Sequence, residues 1–107
     1  MIKRIVKMTF RPDSVAIFLN EVFEASKDRI RSFPGCRHME LLQCTDDPCV
    51  LFTLSLWDDE TALESYRQSE LFQGTWARTR RLFARRAEAW SVRLLDVGEA
   101  ASPPAAQ

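Results

Sequence analysis

The sequence carries no net charge: fifteen Lys and Arg offset fifteen Asp and Glu among 107 residues. Without an overall field, neither nucleic acid nor anionic lipid is favoured as a partner. Long apolar runs are also missing. The longest, near Cys49–Trp57, is far shorter than the roughly 20 residues a membrane-spanning helix needs. The N-terminal stretch M-I-K-R-I-V-K-M-T-F has neither an uninterrupted apolar segment nor a small-residue cleavage site, so a cytoplasmic location is expected. Cysteine is scarce. Cys36, Cys44 and Cys49 are too few for a disulfide framework and form no C-x-x-C pair or zinc-ligand spacing, so reduced thiols and no metal are expected. Cys44 and Cys49 flank a turn and could face each other across two strands, but free buried thiols are the commoner state. There is one histidine, His38.

What is present centres on residues 35–57. Two apolar runs rich in strand-forming residues flank T-D-D-P, whose Asp46, Asp47 and Pro48 are turn formers. The pattern predicts an antiparallel hairpin of Cys36–Cys44 and Cys49–Trp57. Successive strand side chains point to opposite faces. Val50, Phe52, Leu54 and Leu56 therefore share one uniformly apolar face, which reads as core. Leu51, Thr53, Ser55 and Trp57 share a mixed face, which reads with His38, Glu40 and Leu42 as the wall of a pocket or an interface.

Before the hairpin, Ile2–Phe10 alternates as a strand, and Arg11–Ser14 supplies a break and an N-cap candidate. Val15, Phe18, Leu19, Val22, Phe23, Ser26 and Ile30 then form one helical stripe that should stop near Ser32, ahead of Pro34 and Gly35. After the hairpin, Asp58, Asp59 and Glu60 suit a helix N-terminus. Helix is expected over Thr61–Phe72, with a kink or restart at Gly74 and further turns through Phe83. The arginines at 78, 80, 81 and 85 fall mostly outside and read as a solvated helix face. Residues 88–94 alternate again as a last strand. The domain is expected over residues 1–97, followed by a disordered tail of Ala and Pro over 98–107.

Strand, helix, strand, strand, helix, strand predicts an α+β ferredoxin-like sandwich: a four-stranded antiparallel sheet with helices on one face. The second face would carry Ile5, Leu42, Leu51 and Trp57, too apolar to meet water. A second copy of the sheet is the expected cover, giving a homodimer with a barrel-like interior.

The sequence resembles the antibiotic biosynthesis monooxygenase superfamily of dimeric α+β barrels. The resemblance rests on F-P-G-C at Phe33–Cys36, E-L-L-Q-C-T-D-D-P at Glu40–Pro48, L-W-D-D-E-T-A-L at Leu56–Leu63 and Y-R-Q-S-E-L-F at Tyr66–Phe72. It implies a substrate site between helices and sheet or within the dimer's barrel. It also implies oxidation of a small aromatic or quinol-like compound by oxygen with no cofactor. The haem-degrading branch would need a histidine in the second half, and none follows His38. Related oxygenases use an Asn on the first strand, where Ile2–Phe10 has none.

Cofactor-free oxygenation needs a base or acceptor, a cation or donor for the substrate anion, and apolar walls. His38, with Glu40 two residues along on the same face, is the candidate for proton transfer. Lys7 and Arg93 are candidates to hold an anion; Thr53, Ser55, Trp57, Tyr66 and Trp76 are candidates to bind substrate. Each also has a structural reading, as an interface ion pair or a core aromatic. Two functions therefore stay open: a cofactor-independent monooxygenase, and a non-catalytic dimeric small-molecule-binding or interaction protein of the same fold.

Overall fold

Apolar alternation from Ile2 makes β1 (Ile2–Phe10) a strand, and the rest of the sheet is built on it. In the computed structural model, which describes residues 1–98, a 3-10 turn (Pro12–Ser14) follows β1. Next come α1 (Val15–Ile17), a π-helical stretch (Phe18–Phe23) and α2 (Glu24–Arg31), which together form one helix. The chain continues through β2 (Cys36–Gln43), β3 (Val50–Trp57), α3 (Glu60–Arg67), α4 (Glu70–Arg80) and β4 (Phe83–Arg93). The sheet order is β2-β3-β1-β4, with every neighbouring pair antiparallel. This is the expected ferredoxin-like α+β sandwich. The tail expected over 98–107 lies, from residue 99 onward, outside the described residues.

The first helix buries Phe18, Val22, Ser26 and Ile30, one residue in four. Steps of four overshoot an α-helical turn by about 40° each. The wider π turn absorbs part of that overshoot and keeps the stripe on the sheet. Ser14 makes no side-chain cap here. At the far end Gly35 has φ 87°, and a Cβ on it would sit 2.5 Å from the Ala62 Cβ. Only glycine fits.

The helical half differs from expectation in two places. The break falls at Ser69, not Gly74: Ser69 caps α4 by accepting from the Phe72 N–H at 3.1 Å. Gly74 lies inside α4, exposed and with open space around it, where a glycine costs little beyond its propensity. β4 also begins at Phe83, five residues before the expected strand, so Arg85 is a strand residue. Asp59 caps α3 through the Ala62 N–H at 2.8 Å, in line with the acidic run there.

The larger correction concerns the faces. Cross-strand pairs Ile2↔Trp57, Val6↔Thr53 and Met8↔Leu51 put Leu51, Thr53, Ser55 and Trp57 against the helices. Val50, Phe52, Leu54 and Leu56 lie on the open face with Ile5, Leu42, Trp90 and Val92. The face read as core is therefore the uncovered one. The faces come out reversed because a one-residue change of register flips every side chain.

Candidate functional site

Along the helix-facing side of the sheet, large residues stand at the two ends and small ones in the middle. Arg4 is flanked by Ser55 and Ser91, and Val6 by Thr53 and Ala89. At one end α3 seats Leu63 on Ile2 and Trp57. At the other, the first helix seats Phe18 and Val22 on Met8, Phe10 and Leu51. The helices rest on these two clusters and bridge the floor of small residues between them. A cavity of about 290 Å³ results. Protein interiors are otherwise close-packed, with few voids larger than water, so this gap is a feature of the fold.

Aromatic rings form much of the wall. Trp57 stacks on Tyr66 at 4.8 Å, Tyr66 meets Phe72 edge-on at 5.3 Å, and Phe72 stacks on Trp76 at 6.0 Å. Trp76 in turn meets Phe83 at 5.5 Å, which ties the wall to β4. The π turn brings residues five apart onto the same side. Phe18 and Phe23 both line the cavity, with ring centroids 6.1 Å apart.

Most polar groups around this space are already engaged. The Trp57 indole N–H donates to Ser55 Oγ at 2.9 Å, and Ser26 Oγ donates to the Val22 carbonyl at 2.8 Å. Thr79 Oγ1 donates to the Thr75 carbonyl at 2.7 Å. Thr75 Oγ1 is different. It is a buried hydroxyl on a residue lining the cavity, and it has no partner among the described residues. An unpaired buried hydroxyl is costly, and a bound molecule would satisfy it.

Three lining residues can titrate: Arg4, Tyr66 and Arg67. Burial pushes the Tyr66 phenol well above its ordinary value, so at neutral pH it is a donor and no base. Burial, and after it the charge of Arg67, push the Arg4 guanidinium below its ordinary value, against a smaller opposing pull from Glu64. Arg4 Nη1 donates to Ser91 Oγ at 2.9 Å. Arg67 and Ala89 are the exposed members of the lining and mark its mouth.

The structure gathers Thr53, Ser55, Trp57, Tyr66 and Trp76 around this cavity. It separates His38, Glu40 and Lys7 from them by the thickness of the sheet. His38 Nε2 lies 2.7 Å from Glu40 Oε2 on the open face, half exposed. Lys7 is there too, 3.8 Å from Glu88 of β4. Arg93 faces the helix side beyond the cavity, 3.9 Å from Glu60. Sequence reasoning missed Arg4, Arg67 and Thr75. A signal for the cavity was available: small residues recur on alternate positions at Thr53 and Ser55, and again at Ala87 and Ala89.

A family model described as antibiotic biosynthesis monooxygenase matches residues 1–78. The chain belongs to that family. No curated protein matches the sequence. Among solved structures, Rv0793 from Mycobacterium tuberculosis superposes with a TM-score of 0.80 at 24% identity, covering 94% of this chain and 98% of that one. A conserved protein from Methanosarcina mazei Go1 gives a TM-score of 0.82 at 22% identity, covering 86% and 90%. A mutant of SnoaB, a cofactor-independent oxygenase from Streptomyces nogalater, gives 0.79 at 18% identity, covering 90% and 94%. At these identities the structures share the fold with this monooxygenase-family chain, and a shared fold does not carry the chemistry with it. On β1, where the resemblance implied an Asn, the cavity-facing residues are Arg4, Val6 and Met8.

Proposed function

We propose that the protein is a monooxygenase that binds a small, flat aromatic or quinol-like compound in the cavity between helices and sheet. The substrate would be oxidised by dioxygen without a bound cofactor. The observation carrying this reading is the aromatic-walled cavity with the unpartnered Thr75 hydroxyl inside it. A few hundred Å³ of mostly apolar space with few polar handles suits a ligand of two or three fused rings. In the reaction the substrate supplies all four electrons that dioxygen takes up. Its carbanion and dioxygen form a C–O bond, and the resulting peroxide loses water across the remaining C–H. A CH2 becomes a carbonyl, and one water is released.

A second reading, a non-catalytic binder of the same compounds, is favoured by one observation: among the described residues no carboxylate or imidazole lines the cavity. The oxygenase reading therefore requires a substrate acidic enough to ionise in solution. The His38–Glu40 pair belongs, in this reading, to the open face and not to the chemistry. That face carries Ile5, Phe52, Leu54, Leu56 and Trp90 and is assigned to a second copy of the chain, as dimerisation in this family would have it. Three free cysteines support a reducing, cytoplasmic setting.

Oxygen-electrode assays with a panel of anthrones and hydroquinones test the function. Oxygen uptake with one water released per product supports the oxygenase. Tight binding of the same panel without uptake would replace it by the binder.

A further inference from the structure

We propose that the cavity selects a flat aromatic ligand bearing one anionic group, a carboxylate or an ionised hydroxyl, and that Arg4 recognises that group with Arg67 beside it at the mouth. This rests on the reading of the cavity as the ligand site, and it names a specificity residue for it. Arg4 stands on the inner strand β1 and lines the cavity, yet no carboxylate lies within ion-pair distance of it among the described residues. Its register neighbours are the neutral Ser55 and Ser91. A guanidinium has five N–H donors, and the hydrogen bond to Ser91 Oγ at 2.9 Å engages one nitrogen. A half-buried cation kept only for structure is ordinarily given a carboxylate.

Arg67 adds a second positive charge to the same rim. Its contact with Glu64, 3.4 Å away on the same helix, is exposed and therefore weak. Burial and the neighbouring Arg67 disfavour the charge on Arg4, Glu64 offsets them only in part, and an incoming anion would relieve the rest. The anion must carry an apolar body. Trp57, Tyr66, Phe72 and Trp76 would be left against water by a small inorganic ion. Arg4 can meet a carboxylate with two parallel N–H donors, a planar geometry suited to a ring-bound acid. Thr75 Oγ1 offers one more hydrogen bond to a ring substituent deeper inside. For an oxygenase, holding the ionised form keeps the ring electron-rich. For a binder, it sets the ligand class.

Calorimetric titration of the full chain with 2-naphthoate and its neutral isostere 2-naphthamide tests the assignment. The wild-type protein is expected to bind the carboxylate at least about tenfold more tightly. Arg4→Met should bring the two affinities together, Arg67→Met should narrow the ratio less, and Arg4→Lys should keep part of it. Equal affinities in the wild type, or an unchanged ratio in folded Arg4→Met, overturn the anion assignment and leave the cavity reading intact. If neither compound binds the wild type, the cavity reading falls and takes this one with it. Should Arg4→Met not fold, the wild-type ratio decides: it should shrink as ionic strength rises, and a constant ratio overturns the assignment.

Discussion

The two faces of one sheet were built to opposite rules. The helix-covered face has large residues at both ends and Thr53, Ser55, Ala87 and Ala89 between them, and it leaves a space. The open face has Ile5, Phe52, Leu54 and Leu56 across its middle, flanked by the pairs Lys7–Glu88 and His38–Glu40. Apolar content therefore does not tell which face is core. In the proposed reading the more uniformly apolar face meets a partner, and the mixed face holds the site.

The sharpest test of this contrast uses the same residue type on each face. Trp57 is fully buried at 0% exposure under the helices, while Trp90 on the open face is 45% exposed in the single chain. Trp57→Ala should cost about 3–5 kcal/mol of unfolding free energy in urea titrations. Trp90→Ala should cost a small fraction of that in a dissociated chain and instead weaken association. Comparable losses of monomer stability from both would break the comparison.

Next in size is the open face itself. Leu54 lies between Ile5 and Glu40 in the register, near the centre of the sheet. Leu54→Asp places an unpaired charge in the proposed dimer interface, once per chain, and leaves the helix side untouched. Association should weaken at least a hundredfold, about 3 kcal/mol, with an unchanged circular dichroism spectrum. Sedimentation showing a wild-type monomer at micromolar concentration would remove the assigned partner altogether.

Tyr66 gives a smaller effect, confined to the helix side. Its phenol is raised by burial in the folded chain, whereas an unfolded tyrosine ionises near pH 10. Below that pH both states are protonated and the full contribution is present. Above it the unfolded state loses its proton first, so stability falls by about 1.4 kcal/mol per pH unit until the folded value is reached. Tyr66→Phe should remove that part of the alkaline decline. Identical slopes for the two proteins between pH 10 and 11 would mean that Tyr66 is more open to solvent than the stack on Trp57 implies.

Much of the fold was legible in the sequence because it depends on local pattern. Alternation fixed β1 at Ile2–Phe10, two turn formers and a proline bounded the hairpin, and Asp59 announced α3. The break at Ser69 was hidden by Gly74, a stronger breaker on paper that an exposed helix tolerates. The π turn was written in the four-residue spacing of Phe18, Val22, Ser26 and Ile30, which a helical stripe drawn at 3.6 residues blurs. The cavity was only half legible. Thr53, Ser55, Trp57, Tyr66 and Trp76 were picked for their chemistry. They were joined to His38 and Glu40 because pairing register, a tertiary property, decides which alternating set of β3 meets the helices. Arg4 could not be found that way. Its meaning comes from what does not stand opposite it.

The smallest effect expected is also the most discriminating for chemistry. His38 is the residue type most suited to proton transfer, and its 2.7 Å contact with Glu40 looks like an oriented imidazole. Yet both side chains are half exposed on the open face, opposite Leu56 and Leu54 in the register, with the sheet between them and the cavity. A general base must come within hydrogen-bond reach of the proton it takes, directly or through one water. His38→Ala should therefore leave oxygen uptake within about twofold of wild type, a change below about 0.4 kcal/mol in the barrier. A loss of a hundredfold or more, with the dimer intact, would move the reaction to the barrel between two sheets and leave the helix-side cavity as a binding pocket.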